Sequence, residues 1–350
     1  MAKSVVGIDI GGEFIRGVEV TNPDKPEPVI SRIAEVPLPP LSTSRGEVLE
    51  PNTIAGSLRE LWRVGRFRSK NVVLGIGNQR VLSRDLTVPR APLAQIRESL
   101  PFQVQDMLPV PVGDAILDFY PISESDAPEG PVVHGLLIAA VKDAVLANVR
   151  AVQLAGLNPV AVDLIPFALT RVYLPSSRFP GTHALVEVGA NTTTVVIAHD
   201  GVPQFVRIVP TGGDEVTKSL AASLEIPTDQ AEAVKRWVGL GTRAQTPDDV
   251  RAALKLRDVT GELLSSLRNT VNYYVSTRPG STVSSIVLAG GGSQLPGFAQ
   301  ALQDQARLPV VAGDAFADAA TTRSITKEHL ADRGLAAAVA WGLASGSAAA

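Results

Sequence analysis

The sequence predicts an α/β protein: two duplicated α/β units around a cleft, with a small α+β module inserted into the first. Three observations predict it. A strand ending in an acid, one apolar residue and a glycine occurs twice, half the chain apart, in "VVGIDIGGEFIRGVEV" and "ALVEVGANTTTVVIAH". A strand-helix-strand-strand-helix-strand run over 80–163 interrupts the first unit. The 350 residues, 45% hydrophobic and 19% charged, suffice for two cores.

The elements follow in order. "SVVGIDIG", "FIRGVEVT" and "PVISRIAEVPLP" read as strands. A polar, proline-containing loop around 39–52 precedes a helix, "NTIAGSLRELWRVG", with Asn52 or Thr53 placed to cap it. "NVVLGIGN" is a short run of the kind buried in a covered sheet. The inserted module opens with strand "RVLSRDLTVP", closed by Pro89, and a helix, "PLAQIRESLPFQVQDML", that Pro101 should kink or divide. Strands "AILDFYPI" and "VVHGLLIAAV", the periodic helix "KDAVLANVRAVQLAGL" and strand "NPVAVDLIP" complete it. A helix from Phe167 to Leu174 ends the half. The second unit begins with the repeated hairpin (183–201), strand "VPQFVRIVPTG" and a helix opening at "GDEVTKSLAASL". Residues 228–279 are mainly helical; strand "SSIVLAGGGS", a helix after Pro296, strand "LPVVAG" and helix "LADRGLAAAVAWGLA" finish the chain.

Composition removes whole classes of function. The chain has no cysteine, which excludes disulfides, thiolate metal sites and a cysteine nucleophile, and suits a reducing cytoplasm. A net charge of −3 gives no reason to expect nucleic acid or anionic lipid as a direct partner. The most basic stretch, "RELWRVGRFRSKN", reads as a helix with a solvated basic face and Trp62 turned inward; the alternative is a contact with a partner or the membrane surface. Asp9 and Glu13 interrupt the N-terminal apolar run, so it is not read as a signal peptide. No segment approaches the roughly 18 apolar residues of a spanning helix. The tail is expected to be a docked helix with a frayed end, not a membrane anchor. His134, His183, His199 and His329 have no metal-ligand spacing and are expected to be surface or packing residues.

The repeated hairpin has a specific chemistry. Asp9-Ile10-Gly11 corresponds to Glu187-Val188-Gly189. The glycine allows a tight turn and close backbone approach, so loop N–H groups can point at phosphate oxygens. The acid at the strand end repels phosphate alone, but can hold a Mg²⁺-bound water or polarise an attacking one. Two such hairpins face to face would clamp a polyphosphate. A third element, "IVLAGGGSQLPGFAQAL", ends a buried strand in Gly290-Gly291-Gly292, where bare backbone lets a flat base or an α-phosphate lie. Each element alone is more often punctuation; their joint occurrence in this order carries the reading.

With these residues in view, the sequence resembles the actin/Hsp70/sugar-kinase ATPase superfamily. "GIDIGGEFIRGVEV" looks like its first phosphate loop, "LVEVGANTTTVVI" its second and "IVLAGGGSQLPGF" its adenosine loop. Within the superfamily, "IRESLPFQVQDMLPVPVGDAILDFYPI" and "LIAAVKDAVLANVRAVQLAGLNPVAVDLIPFALTRV" resemble the PilM family of actin-like type IV pilus assembly proteins, to about Leu343. The inserted module is similar to the 1C subdomain shared with the division protein FtsA. The resemblance implies an actin-like ATPase fold divided as subdomain 1A (1–79, 164–182 and 326–345), subdomain 1C (80–163), domain 2 with 2A and 2B (183–325), and a flexible tail (346–350).

It also implies a role. A PilM-like protein would be a cytoplasmic scaffold, recruited to the inner face of the membrane, that grips the N-terminal tail of a PilN-like membrane protein between 1A and 1C. Pilus motor ATPases and the platform protein are further implied partners, and twitching motility the implied process. Carried over residue by residue, Asp9, Gly11, Gly12 and Arg16 match the first loop. Glu187, Gly189, Asn191 and Thr192 match the second, and Gly212 and Gly213 a glycine pair opening the next helix. Glu232 and Lys235 match a ribose- or base-touching pair, and Gly290, Gly291 and Ser293 the adenosine loop. ATP or ADP with Mg²⁺ is the implied cofactor, Asp9 and Glu187 holding the metal through water and serving as the catalytic candidates. Phe102, Val104, Leu108, Leu117 and Phe119 are candidates for the partner groove, or for core.

Two departures from the family pattern bear on activity. Glu187 stands where an aspartate is usual, and one extra methylene displaces the carboxylate enough to slow an in-line attack. Glu13 adds a negative charge to a loop that is usually serine-rich; unless it points away or Arg16 compensates, phosphate affinity should fall. The expectation is a slow ATPase at most. The alternatives are an FtsA-like filament-forming division ATPase, which should carry a C-terminal amphipathic helix, and a sugar kinase, for which no substrate base or sugar loop is found.

Overall fold

The computed structural model describes residues 3–346 except positions 26, 45, 242, 279 and 324. The tail expected over 346–350 lies outside them past Gly346, as does the side chain of His329. Strands β1 (Ser4–Ile10), β2 (Phe14–Thr21) and β3 (Val29–Pro37) form an antiparallel meander. A two-strand hairpin, β4 (Thr43–Ser44) and β5 (Glu47–Val48), leads to helix α1 (Pro51–Gly65), and β6 (Asn71–Ile76) returns parallel to β1. The N-cap of α1 is Glu50, with Pro51 at the first helical position; Asn52 and Thr53, expected to cap it, lie inside the first turn. Proline fits there because its missing N–H would have had no partner in the helix.

The module comprises β7 (Val81–Pro89), α2 (Leu93–Gln103), β8 (Ala115–Ala127) and β9 (Gly130–Val141), with β9 in the middle of an antiparallel three-stranded sheet. Helix α2 runs through Pro101 and stops two residues later, before a short 3₁₀ turn, so the proline marks the division expected of it. Ile96, Leu100 and Val104 seal α2 against Val88, Phe119 and Leu137 of the sheet. The next two elements, α3 (Lys142–Leu154) and β10 (Asn158–Leu164), were placed by pattern within 80–163, but they join the frame. Strand β10 pairs in parallel with β6, and α3 packs beside α1. An apolar alternation records that a strand is covered, not which sheet supplies its hydrogen bonds.

Helix α4 (Ile165–Tyr173) crosses to the second unit. There β11 (Thr182–Val188), β12 (Thr193–His199) and β13 (Val202–Val209) repeat the meander. Helices α5 (Gly213–Leu224), α6 (Thr228–Val238) and α7 (Pro247–Thr277) follow. Thr246 and Asp249 bond reciprocally in a capping box that starts α7. Then come β14 (Ile286–Ala289), α8 (Phe298–Ala306), β15 (Val310–Ala312), β16 (Ala320–Thr321), which adds to the edge of the first sheet beside β3, and α9 (Lys327–Ser345).

The sheet orders establish the duplication: β10-β6-β1-β2-β3 in the first unit matches β15-β14-β11-β12-β13 in the second, strand for strand. Between the two sheets lie α4 and α9, and one core cluster joins Val5, Val18 and Val73 to Leu185, Val196 and Val287 through Leu169, Trp341 and Leu343. The small-residue sequence of α9 is what permits this. A Cβ on Gly7 would stand 2.0 Å from the Ala340 carbonyl oxygen, and one on Gly342 2.1 Å from that of Ala168. Backbone therefore packs on backbone, which only glycine allows at these distances. No described helix is long and apolar enough to cross a membrane.

Candidate functional site

The two hairpins share one backbone. Gly11 N–H donates to the Phe14 carbonyl at 3.0 Å, and Gly189 N–H to the Thr192 carbonyl at 2.9 Å. The last strand pairs are Ile10 with Ile15 and Val188 with Thr193, so both turns span four residues. Position by position, Asp9 corresponds to Glu187, Gly12 to Ala190, Glu13 to Asn191 and Arg16 to Thr194. The hairpins also meet: a Cβ on Gly12 would stand 2.5 Å from Asn191 Nδ2. The first turn is held from outside by Thr43, whose hydroxyl donates to the carbonyls of Gly11 (3.3 Å) and Gly12 (3.2 Å).

Their charges differ. Burial pushes the Asp9 carboxyl up from its ordinary range, while Arg16, with Nη1 3.8 Å from Asp9 Oδ2, pulls it back. Glu187 is pushed up to about 7, by burial first and by the neighbouring Asp9 charge second, with Arg16 acting against both. The Asp9 charge thus acts on Glu187 across the cleft floor. Arg16 also donates from Nε to Glu35 at 3.1 Å, so its charge is shared between two carboxylates. Glu13 is exposed, and its charge adds to burial in raising the Asp214 carboxyl in the first turn of α5. Its charge thus reaches the second unit, and Arg16 is paired with Asp9 and Glu35.

Helix α5 closes the wall of the second unit. Gly213 and Asp214 donate their N–H groups to the Gly189 and Ala190 carbonyls, both at 2.9 Å, and a Cβ on Gly212 would lie 2.5 Å from each of those oxygens. Lys235 reaches from α6 to the Gly213 carbonyl (3.1 Å), Thr217 Oγ1 (2.6 Å) and Glu232 Oε2 (2.6 Å). Burial works to raise Glu232, but bonds from Lys235, Thr217 and Arg236 outweigh it and hold the carboxyl down at about 2. Glu232 and Lys235 are therefore tied to the helix that carries Gly213 instead of forming an isolated pair on α6.

In the third loop, Gly290 has φ +85°, and a Cβ there would lie 2.3 Å from the Val188 carbonyl oxygen and 2.6 Å from Glu187 Oε1. Glycine is required by packing alone. Ser293 donates its hydroxyl back to the Gly290 carbonyl at 2.6 Å. A Cβ on Gly291, in contrast, would meet nothing within 4 Å. Nothing in the protein requires glycine at 291, so the position is open for something to lie against.

The structure thus brings Asp9, Gly11, Gly12 and Arg16 together with Glu187, Gly189, Asn191 and Thr192, and sets Gly212, Gly213, Glu232, Lys235, Gly290, Gly291 and Ser293 around them. The sequence reading missed Thr43, Thr217, Asp214 and Glu35. Thr43 sits in a polar loop with no periodicity, and nothing in the sequence marks it. The donor set suits a magnesium nucleotide: two floor carboxylates for a hydrated hard cation, and bare backbone at Gly12 and Gly291 for phosphate and base. No group of three or more acids or histidines arranged to hold a metal by itself occurs among the described residues. The three described histidine side chains meet hydroxyls, one carbonyl and one carboxylate: His134 meets Thr87 and Ser125, His183 meets Ser285 and the Pro180 carbonyl, and His199 meets Thr182 and, at 3.4 Å, Asp200.

The groove candidates divide. Phe102 is 82% exposed, Leu108 and Leu117 are half-buried, and Val104 and Phe119 are fully enclosed in the module core. The last two cannot touch a peptide and instead shape the module. A shallow, closely packed depression lies between frame and module, lined by Asn78, Arg80 and Asn148 as well as Ile76, Val81 and Val145.

Comparison with known proteins yields one family match and four similar proteins. The family model described as "Type IV pilus assembly protein PilM" matches residues 7–347. A chain of the solved "PilM-PilN type IV pilus biogenesis complex" is 29% identical, with 97% of each chain covered and a TM-score of 0.83. The cell division protein FtsA of Neisseria meningitidis is 25% identical over 237 residues, 60% of this chain and 55% of that protein. FtsA of Bacillus subtilis is 26% identical over 191 residues, 49% of this chain and 42% of that protein. The chain thus spans about half the length of the curated relatives it matches. MreB5 of Spiroplasma citri bound to AMPPNP, 11% identical with a TM-score of 0.53 over 89% of this chain and 92% of that one, shares the fold.

Proposed function

The chain belongs to the PilM family of type IV pilus assembly proteins, and from that premise we propose that it is an assembly scaffold with two ligands. One is a magnesium nucleotide held between the paired hairpins; the other is the N-terminal cytoplasmic tail of a PilN-like membrane protein. The observation that carries the reading is the near-complete agreement with the chain of the PilM–PilN complex, across both units and the inserted module. The shallow depression between frame and module, where Asn78, Arg80 and Asn148 stand beside Ile76, Val81 and Val145, is the place offered to the tail; it is packed too tightly to take a side chain, so the tail would lie across it.

In the cleft, the turns at Gly11–Gly12 and Gly189–Ala190 would take the phosphates, and Asp9 and Glu187 would hold the cation through water. Magnesium would neutralise phosphate charge that Asp9, Glu187, Glu13 and Asp214 otherwise repel. Nucleotide affinity should accordingly depend strongly on the metal. Hydrolysis should be slow, because Glu187 shares its floor with Asp9 and has no cation of its own. The nucleotide would set the angle between the units, whose cleft walls close on it.

Isothermal titration of the full chain with the partner's tail peptide, and separately with MgATP, tests the two halves of the proposal. Binding of both supports it. Peptide binding without nucleotide binding removes the cofactor half and leaves the scaffold. Failure with every tail peptide, together with polymer formation in the presence of MgATP, would favour the FtsA-like filament reading.

A further inference from the structure

One strongly charged surface is left unused by the cleft and by the depression. Strands β1, β6 and β10 run parallel, and their C-terminal ends carry the cleft. Their N-terminal ends gather at the opposite pole with the C-termini of α1 and α3. The α1 C-terminus and its loop carry Arg59, Arg63, Arg66, Arg68 and Lys70 against the single acid Glu60. Arg63 is paired with Glu60 at 2.5 Å, and Arg59 caps α3 through the Leu154 carbonyl at 2.9 Å. Arg66, Arg68 and Lys70 are exposed and make no side-chain ion pair or hydrogen bond among the described residues, and the same holds for Arg150 on α3. The other charges at this pole nearly cancel: Lys3 is paired with Asp24 at 2.7 Å, and Lys25 lies near Glu27 in the loop between β2 and β3. Val64 and Leu154 are 49% and 42% exposed among these cations.

Arg66 ends its helix as Glu225 and Arg307 end α5 and α8, each a residue other than glycine. It caps α1 with φ +51°, in the left-handed region where glycine or asparagine is the unstrained choice. Its side chain makes no ion pair or hydrogen bond among the described residues. The overall charge of −3, from which no lipid contact was expected, averages over this uneven distribution.

We propose that this pole, centred on Arg66, Arg68, Lys70 and Arg150, is a peripheral docking surface for anionic lipid headgroups. The occupant is argued from charge complementarity, and its choice over an acidic protein rests on the membrane-anchored partner proposed above. The geometry agrees. The α3 residues of the depression, Ala144, Val145 and Asn148, lie six to ten positions before Leu154, about 9–15 Å along the helix, so a tail seated there reaches the pole with about four extended residues. Attraction is electrostatic and superficial; no described helix is long and apolar enough to cross a membrane. Each basic residue near such a surface strengthens adsorption by about fivefold, and salt screens the effect.

The test is vesicle flotation of the full chain without any partner, using phosphatidylcholine alone and phosphatidylcholine mixed with phosphatidylglycerol. The expected result is binding to the mixed vesicles only, falling as salt rises. Replacing Arg66, Arg68 and Lys70 together by Gln should weaken it about 100-fold. Replacing Arg251, Lys255 and Arg268 of α7 by Gln, the same change in charge on the other unit, should leave it unchanged. Arg66→Gly separates folding from docking: the melting temperature should rise while vesicle affinity falls about fivefold. Loss of affinity in the α7 variant equal to that in the pole variant would overturn the proposal, as would binding indifferent to phosphatidylglycerol. Wild-type protein that ignores vesicles yet is retained by an acidic polypeptide would assign the pole to a protein partner and overturn it too. Tail-peptide binding measured alongside remains a separate readout of the proposed function.

Discussion

The two hairpins are the same piece of backbone with different electrostatics. Each is a strand, an acid, an apolar residue and a glycine whose N–H closes onto the carbonyl three residues later. The first is crowded with charge: Asp9, Glu13 and Arg16, with Glu35 beside them. The second has only Glu187, and opposite it in the ladder stands Thr194 in place of Arg16. Duplication therefore preserved the geometry of the turn, while the charge balance moved to one side. The first hairpin holds its acid beside a cation. The second has none of its own and lets burial push Glu187 up to about 7.

The largest effect should come from breaking the packing on which the second hairpin rests. Gly290→Val places a side chain against the Val188 carbonyl and Glu187 at a left-handed φ, and should cost about 3 kcal/mol or more by denaturant unfolding. Gly291→Ala, one residue on, should change stability by less than about 0.5 kcal/mol yet weaken nucleotide binding. Equal losses of stability in the two variants would show that the third loop is packed differently.

Next in size is the pH dependence of Glu187. Its carboxyl ordinarily titrates at 4.5 and is raised to about 7 in the folded chain, so the unfolded state releases the proton first. Stability therefore falls as pH rises through that window and is lowest above it. Glu187→Gln should be more stable than wild type by about 2 kcal/mol at pH 8 and by less than about 1 kcal/mol at pH 5, read from unfolding curves at the two pH values. A gain independent of pH would mean that Glu187 is ionised throughout.

A smaller effect is expected at the rim. Glu13→Gln removes the charge that works on Asp214 and should tighten MgATP binding about fivefold by titration, without altering the unfolding midpoint. The smallest is Gly12→Ala. Its Cβ meets only the end of the Asn191 side chain, which can turn aside, so the cost should stay below about 1 kcal/mol in unfolding. A large loss there would mean that the two hairpins are locked together even without ligand.

Much of this was legible in the sequence, for identifiable reasons. The duplicated hairpin was readable because strand, acid and glycine are local in the chain, and local patterns survive translation into structure. The element order of the module was readable too, since apolar periodicity reports each strand and helix separately. Its boundary was not: β10 looks the same by pattern whether it pairs with β9 or with β6, and pairing is a long-range choice. The cap of α1 was missed because Pro51 fits the first helical position without any capping side chain. Thr43 and Glu35 were invisible for a related reason. They reach the cleft through hydrogen bonds from loop and strand positions that no spacing rule links to Gly11 or Arg16. Val104 and Phe119 show the converse: position near an implied groove is weaker information than the core demand of a small module.

The central claim is that the two hairpins act as the jaws of one clamp for a magnesium nucleotide. Hydrogen exchange of the full chain with and without MgATP tests it directly. The expected result is slowed exchange in residues 9–16 and 187–194 together, lost when magnesium is chelated. Protection in neither hairpin, or in one alone, would contradict it.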